Sequence, residues 1–193
     1  HVLHHLIFLL EGKYQFQPEL PFVPGGECAG VVEAVGSDVS RWQVGDEVVQ
    51  MGMAGGFADT LVVNENSLLP KPKALSMTEA AGIGITYFTS YYALVQRANI
   101  QPGETLLVLG AAGGVGSTAV ELGKALGAKV IAAASSDEKL ELCKELGADE
   151  VINYTTEDLK GRIKELTEGR GVDVVYDPVG GDFSEIALRS MAW

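Results

Sequence analysis

The chain has 193 residues, 47% of them hydrophobic, and a formal net charge of −12. That length and apolar content suffice for a buried core, as one domain or two small ones. The acidic balance, with no block of lysines or arginines, excludes nucleic acid or an anionic membrane as the main partner, though not one small anion in a local basic pocket.

The opening segment, HVLHHLIFLLEG, is far shorter than the roughly 20 apolar residues of a membrane span. It also lacks the leading positive charge of a signal peptide. His1, His4 and His5 are the only histidines. With no acidic or cysteine partner nearby, they are not expected to hold a metal. The absence of an initiator methionine suggests that sequence upstream is missing. Cys28 and Cys143 form no CxxC pair and read as core-filling thiols in a reducing compartment, cytoplasmic or, alternatively, mitochondrial.

Residues 1–85 hold five of the seven prolines. Short β-like runs follow one another here: AGVVEAVG (29–36), DEVVQM (46–51) and ADTLVV (58–63), each bounded by glycine or polar turns. This half reads as a compact β-rich domain, and from residue 86 onward the pattern changes. TLLVLG (105–110) is a buried-strand run. VGSTAVELGKALGA then reads as a helix with Val115, Ala119, Leu122 and Leu126 on one face, closed by Gly127. KVIAAA (129–134) is the next strand and residues 137–147 the next helix. EVINY (150–154), a polar helix over 157–167, and VDVVYDPVG (172–180) complete the alternation. Strands alternating with helices of this length predict an α/β fold with a parallel sheet wound by right-handed crossovers.

Four glycines crowd residues 110–116, between a predicted strand and the first turn of a predicted helix. There the backbone must turn sharply, approach a ligand and pack helix on strand, and side chains obstruct each task. The free N–H groups and the roughly +0.5 charge of a helix N-terminus suit a pyrophosphate. The next strand ends in Ser135-Ser136, where an NAD site places an acid about 20 residues after the glycines. Lys139 follows. A carboxylate there would oppose a 2′-phosphate by up to ~4 kcal/mol at 4 Å for an effective dielectric near 20; a lysine reverses the sign. NADPH is therefore expected over NADH. Asp137 and Glu138 read as negative charge in the first turn of the following helix, although a two-residue shift would restore an acid to the ribose. Lys139 taken alone is equally an ordinary solvated helix lysine.

AAGGVG after TLLVLG, the PFVPGGECAGVVEAVG block, WQVGDEVV, VINY and YDPVGG occur in an order that resembles the medium-chain dehydrogenase/reductases. More narrowly, they resemble the zinc-free NADPH:quinone oxidoreductase branch, which includes zeta-crystallin-like proteins. The resemblance runs from about Gly12 to the end. It implies a GroES-like β-rich substrate and catalytic domain over 1–85, N-terminally incomplete, and a Rossmann dinucleotide-binding domain over 86–193, C-terminally incomplete. It assigns Ala112, Gly113, Gly114 and Val115 to the pyrophosphate, beside Gly116 of the glycine cluster, and Ser135, Lys139 and Tyr154 to the surround of the 2′-phosphate, where Ser136 already falls by its place after the strand. Thr89 falls near the nicotinamide end. Asp177 and Pro178 lie at a strand's C-terminal end, where ligands sit in open α/β sheets. Tyr14 matches a pocket-lining tyrosine. Each also has a plainer reading: Tyr154 as a half-buried strand residue, Thr89 in packing or capping, Asp177-Pro178 as a turn, Tyr14 as surface packing.

Zinc-dependent relatives carry GHE where this chain has Gly25-Gly26-Glu27, and often a four-cysteine lobe, so no metal is expected. Without one, the implied chemistry is hydride delivery to a small electron acceptor, a quinone or an α,β-unsaturated carbonyl. The final proton would come from water or from a tyrosine such as Tyr14 or Tyr87. The chain departs from the family at Leu3 and Leu6, where an asparagine-containing turn is usual. It also stops at Trp193, before further sheet strands and the strand that pairs subunits into a homodimer. A catalytically silent NADPH-binding or structural protein, crystallin-like, is the alternative expectation, as is an enone or enoyl-thioester reductase.

Overall fold

The computed structural model describes the backbone of residues 2–193 and the side chains of 6–193. The His1, His4 and His5 side chains weighed above as metal ligands lie outside the described residues, as does the Leu3 side chain. The chain divides into two compact units, residues 1–88 and 89–193.

The second unit is built on four strands: β4 (Thr105–Leu109), β5 (Lys129–Ala134), β6 (Glu150–Asn153) and β7 (Val174–Tyr176). They lie in the order β6-β5-β4-β7, and every pairing is parallel. The register sets Leu107 opposite both Ile131 and Val175. Between the strands run α4 (Gly114–Ala125), α5 (Asp137–Glu145) and α6 (Leu159–Leu166), and α7 (Asp182–Leu188) follows β7.

Successive strand residues point to opposite faces, and here both faces are covered. Leu106, Val108, Val130 and Ala132 pack with Ala119 and Val120 of α4 and Cys143 of α5. Leu107, Leu109, Ile131 and Ile152 pack with Leu159 and Ile163 of α6 and Ala187 of α7. All five residues of β4 are consequently buried, and each buried leucine or isoleucine contributes about 1.5–3 kcal/mol. This is why the strand reads as an unbroken apolar run. The predicted α4 stripe is adjusted: Val120 joins Ala119 in full burial, while Val115, Leu122 and Leu126 pack at its margin.

The first unit contains α1 (Val2–Leu10) and an antiparallel sheet, β1 (Glu27–Val31), β2 (Glu47–Met51) and β3 (Leu68–Pro70), in that order. Ala29 faces Val49, which faces Leu69. The helix α2 (Met77–Ala80) opens with a full capping box between Ser76 and Glu79. Two sequence expectations change here. The 29–36 run forms ladder only as far as Val31, and the 58–63 run forms none, leaving Val62 95% exposed. Alternation marks a face but names no partner strand; the third ladder position goes to Leu68–Pro70. There the proline, lacking an N–H, fits a sheet edge.

The helix α3 (Ile83–Tyr91) runs across the boundary at residue 88 and continues as a π-helical stretch, Tyr92–Arg97.

Candidate functional site

The strand order reverses direction between β4 and β7. Successive strands β4, β5 and β6 step outward one way, and β7 returns to the free side of β4. Such a switch point opens a crevice outside the strands' C-terminal ends. The glycine cluster follows β4 at that place.

Two of its glycines are required by the fold. Gly110 adopts φ +58°, and a Cβ there would sit 2.8 Å from Val179 of the turn after β7. A Cβ on Gly116 would lie 2.3 Å from the Gly110 carbonyl oxygen, so α4 enters directly against the strand's end. Gly113 differs. As the residue preceding α4 it has φ −80° and ψ 168°, an extended conformation open to any residue. No side chain caps the helix at this position, so the first-turn amides that a helix cannot bond internally are left for a ligand. Backbone bonds hold the turn: Gly113 N–H to the Gly110 carbonyl at 2.9 Å, Ala111 N–H to the Ala133 carbonyl at 3.0 Å, and Ser117 N–H to the Gly113 carbonyl at 2.8 Å. Ala112 and Val115 pack against the core below. These residues fit a pyrophosphate: a backbone cradle at a helix N-terminus, without a competing cap.

Beyond β5, Ser135 and Lys139 come together, the Lys139 Nζ donating to Ser135 Oγ at 2.9 Å. Lys139 is exposed. The Ser136 hydroxyl oxygen accepts the Lys139 N–H as the cap of α5, which leaves its proton free to donate. Asp137, one of the two acids that follow Ser136, is engaged elsewhere: Asn153 Nδ2 donates to its Oδ1 at 2.7 Å. Asn153 is 6% exposed, and its own Oδ1 accepts from the Thr155 N–H at 3.1 Å and the Thr155 hydroxyl at 2.6 Å. Tyr154 is half-buried, its ring 4.7 Å from that of Phe183.

Beyond β7, the Asp177 carboxylate organises its own turn. It accepts the N–H groups of Val179 and Gly180, each at 2.9 Å, and the Ser184 hydroxyl. Burial would push this carboxyl up, but the Ser184 hydroxyl and the two N–H donors outweigh it and hold the group below the ordinary carboxylate value. The exposed Pro178 and Val179 therefore face the crevice rim while Asp177 shapes it. Tyr154, Ser135 with Lys139, residues 112–116 and Asp177-Pro178 thus follow one edge of the sheet in its strand order. Thr89 is an exposed residue of α3, counted with this unit. Tyr14 belongs to the first unit, half-buried, its N–H bonded to the Phe8 carbonyl at 3.1 Å.

Asn153 and a buried trio of hydroxyls, Ser90, Thr118 and Tyr176, escaped the sequence reading. Their signal was faint: an asparagine closing an apolar strand, and polar residues inside otherwise greasy elements.

In the first unit Glu27 accepts the Ile85 N–H at 2.9 Å, placing a carboxylate on the first turn of α3. Among the described residues no three His, Cys, Asp or Glu side chains gather to hold a metal ion, and no helix is long and apolar enough to cross a membrane. A cavity of about 620 Å³ lies in the same unit, bordered by Val31, Trp42, Gln50 and Leu61; none of the expected site residues lines it.

Comparison with known proteins agrees with this layout. Residues 4–73 match the alcohol dehydrogenase GroES-like domain family, and residues 114–192 match the family described as zinc-binding dehydrogenase. The quinone oxidoreductase-like protein 2 homolog of Nematostella vectensis is 46% identical over 184 residues, 94% of this chain and 50% of that protein. Among solved structures, the Escherichia coli quinone oxidoreductase complexed with NADPH superposes with a TM-score of 0.88 at 38% identity, over 96% of this chain and 57% of that one. The CurK enoyl reductase superposes with a TM-score of 0.85 at 36% identity, over 99% of this chain and 58% of that one. The chain spans about half the length of the curated relatives it matches.

Proposed function

Because the chain belongs to the quinone oxidoreductase branch of the medium-chain dehydrogenase/reductase superfamily, we propose that it serves an NADPH-dependent, metal-independent reduction of quinones or other conjugated carbonyls. The observation that carries this reading is the row of groups along one sheet edge, with an uncapped helix N-terminus at the switch point. The bound nicotinamide supplies the hydride.

The chain's own residues bind and orient. The amides of residues 114–116 receive the pyrophosphate above the Gly113 turn, with Ala112 and Val115 closing that turn beneath it. Lys139, Ser135 and the Ser136 hydroxyl proton meet the 2′-phosphate beside the Tyr154 ring. The tie between Asn153 and Asp137 supports the same preference, because it occupies a carboxylate oxygen that would otherwise be available to the ribose hydroxyls. Asp177 fixes the turn that presents Pro178 toward the nicotinamide end, where Thr89 is also assigned. Tyr14 is assigned to the acceptor pocket. Metal independence rests on Gly26 standing where zinc relatives have a histidine, and on Glu27 already bonding Ile85.

The likeness to an enoyl reductase favours one second reading, in which the acceptor is an enone or enoyl thioester. The test is NADPH fluorescence titration with turnover assays on this 193-residue chain. Saturable NADPH binding and NADPH oxidation with quinones are expected. Oxidation with alkenals alone selects the second reading, binding without turnover makes the chain a silent binder, and no binding overturns the proposal.

A further inference from the structure

Beneath the glycine turn three hydroxyls meet, and the Thr118 hydroxyl also lies 3.0 Å from the Val115 carbonyl. Ser90 Oγ donates to the Val115 carbonyl at 2.9 Å, lies 2.8 Å from Thr118 Oγ1, and lies 3.0 Å from the Tyr176 phenolic oxygen. Ser90 is fully buried, and Thr118 and Tyr176 are 5% and 9% exposed. Water does not reach them, so their protons must be used within the protein.

One serine is shared by the other two hydroxyls. A hydroxyl carries one proton and two lone pairs. If Ser90 donates to Val115 and accepts from both Thr118 and Tyr176, no proton and no lone pair of Ser90 is idle. Burial pushes the Tyr176 phenol up, against the Ser90 hydrogen bond, which keeps it a donor through the neutral range.

The position of the set gives it a consequence. Val115 is the second residue of α4, and its peptide units include the amides facing the crevice. Tyr176 is the last residue of β7 and immediately precedes the Asp177 turn. Ser90 joins the two from the end of α3. The two lips of the crevice, the entry of α4 and the exit of β7, are therefore pinned to one buried oxygen, while above them Gly110 fits against Val179.

We infer that Ser90 and Tyr176 are positioning residues for pyrophosphate binding, holding the amides of residues 114–116 in place without touching the ligand. This rests on the pyrophosphate reading given above. Preorganised donors bind better because no reorganisation is needed on binding, and a small misplacement of such donors is costly.

The test uses two fragments of the coenzyme as calorimetric probes. ADP carries the pyrophosphate and no 2′-phosphate; 2′-AMP carries the 2′-phosphate and no pyrophosphate. In Tyr176→Phe, which removes one oxygen and keeps the ring, ADP should bind roughly five- to tenfold more weakly, a loss of about 1–1.4 kcal/mol. Binding of 2′-AMP should stay within about twofold, a fraction of a kcal/mol. Ser90→Ala breaks all three contacts and should produce a larger loss with the same selectivity. If Ser90→Ala does not fold, Tyr176→Phe decides alone, with 2′-AMP binding as its control for an intact fold. Equal weakening of both probes, or unchanged ADP binding with a lowered melting temperature, reduces the trio to packing and overturns the inference. Wild-type protein that binds 2′-AMP and not ADP overturns the pyrophosphate reading itself, and this inference with it.

Discussion

The two units bury their strands in different ways. In residues 89–193 the sheet is covered on both faces, and β4, β5 and the helices around them supply most of the buried apolar side chains. In residues 1–88, Leu9, Val48, Val49, Leu68 and Ala80 are buried among the described apolar side chains, while Val31, Val44 and Val62 stand exposed. A two-sided parallel sheet favours apolar residues on both faces of its strands, with polar ones such as Thr105, Lys129 and Asn153 at strand ends. A short antiparallel sheet leaves half its positions free and depends on turns. The first kind of unit tolerates little change where chain meets chain; the second tolerates more.

Glycine substitutions should break that contrast most sharply. Gly116→Val, with its Cβ driven to 2.3 Å from the Gly110 carbonyl, should cost about 3 kcal/mol or more and abolish NADPH binding. Gly30→Ala in β1, where a Cβ meets nothing within 4 Å, should stay within about 0.5 kcal/mol. Urea unfolding of both variants measures this; equal losses would erase the distinction between the units.

Within the second unit, the edge beyond β5 should separate the two cofactors. Lys139→Ala removes the ammonium beside Ser135 and should weaken NADPH about tenfold or more, the worth of a charged hydrogen bond, while leaving NADH unchanged. Equal weakening of both would remove Lys139 from the 2′-phosphate. Asn153→Leu should have a smaller effect, lowering the preference for NADPH over NADH about threefold to tenfold by freeing Asp137. In an Asp137→Asn background the same change should leave the preference alone, and a persistent effect there would assign Asn153 a different role.

The pattern of what the sequence revealed follows the same division. TLLVLG and KVIAAA announced their strands because both sheet faces are buried, and Gly110 and Gly116 announced a turn that the contacts now explain. ADTLVV misled, since alternation carries no information about which strand it pairs with. The engagement of Asp137 by Asn153 was hidden too: the residues are 16 positions apart and meet only because β5 and β6 are neighbours. Ser90, Thr118 and Tyr176 were invisible for the same reason. Each looks like a tolerated polar residue until α3, α4 and β7 converge.

Acid should produce the mildest effect. Burial raises the Asp149 carboxyl, but Lys124 and the Val130 N–H outweigh that and lower it. Arg170 lowers Asp173, aided by the Thr105 N–H against burial, and Asp177 is lowered by its turn. A carboxyl whose folded value lies below the unfolded one of about 3.9 binds its proton first in the unfolded chain. Its stabilisation is complete above that value and drains away as pH falls through the folded value. Thermal melts should therefore be flat above about pH 5 and fall progressively below about pH 4. Asp177→Asn should make that fall shallower; an unchanged acid slope would show that the Asp177 turn contributes nothing to it.

The central claim is that a pyrophosphate rests on the open amides at the start of α4. An amide-resolved NMR titration with NADPH addresses it most directly. The account predicts that the largest shifts fall on the amides of Gly114, Val115 and Gly116, with a second group at Ser135 and Lys139. Saturating NADPH that leaves those three amides unmoved, with the perturbation located elsewhere in the chain, would contradict it.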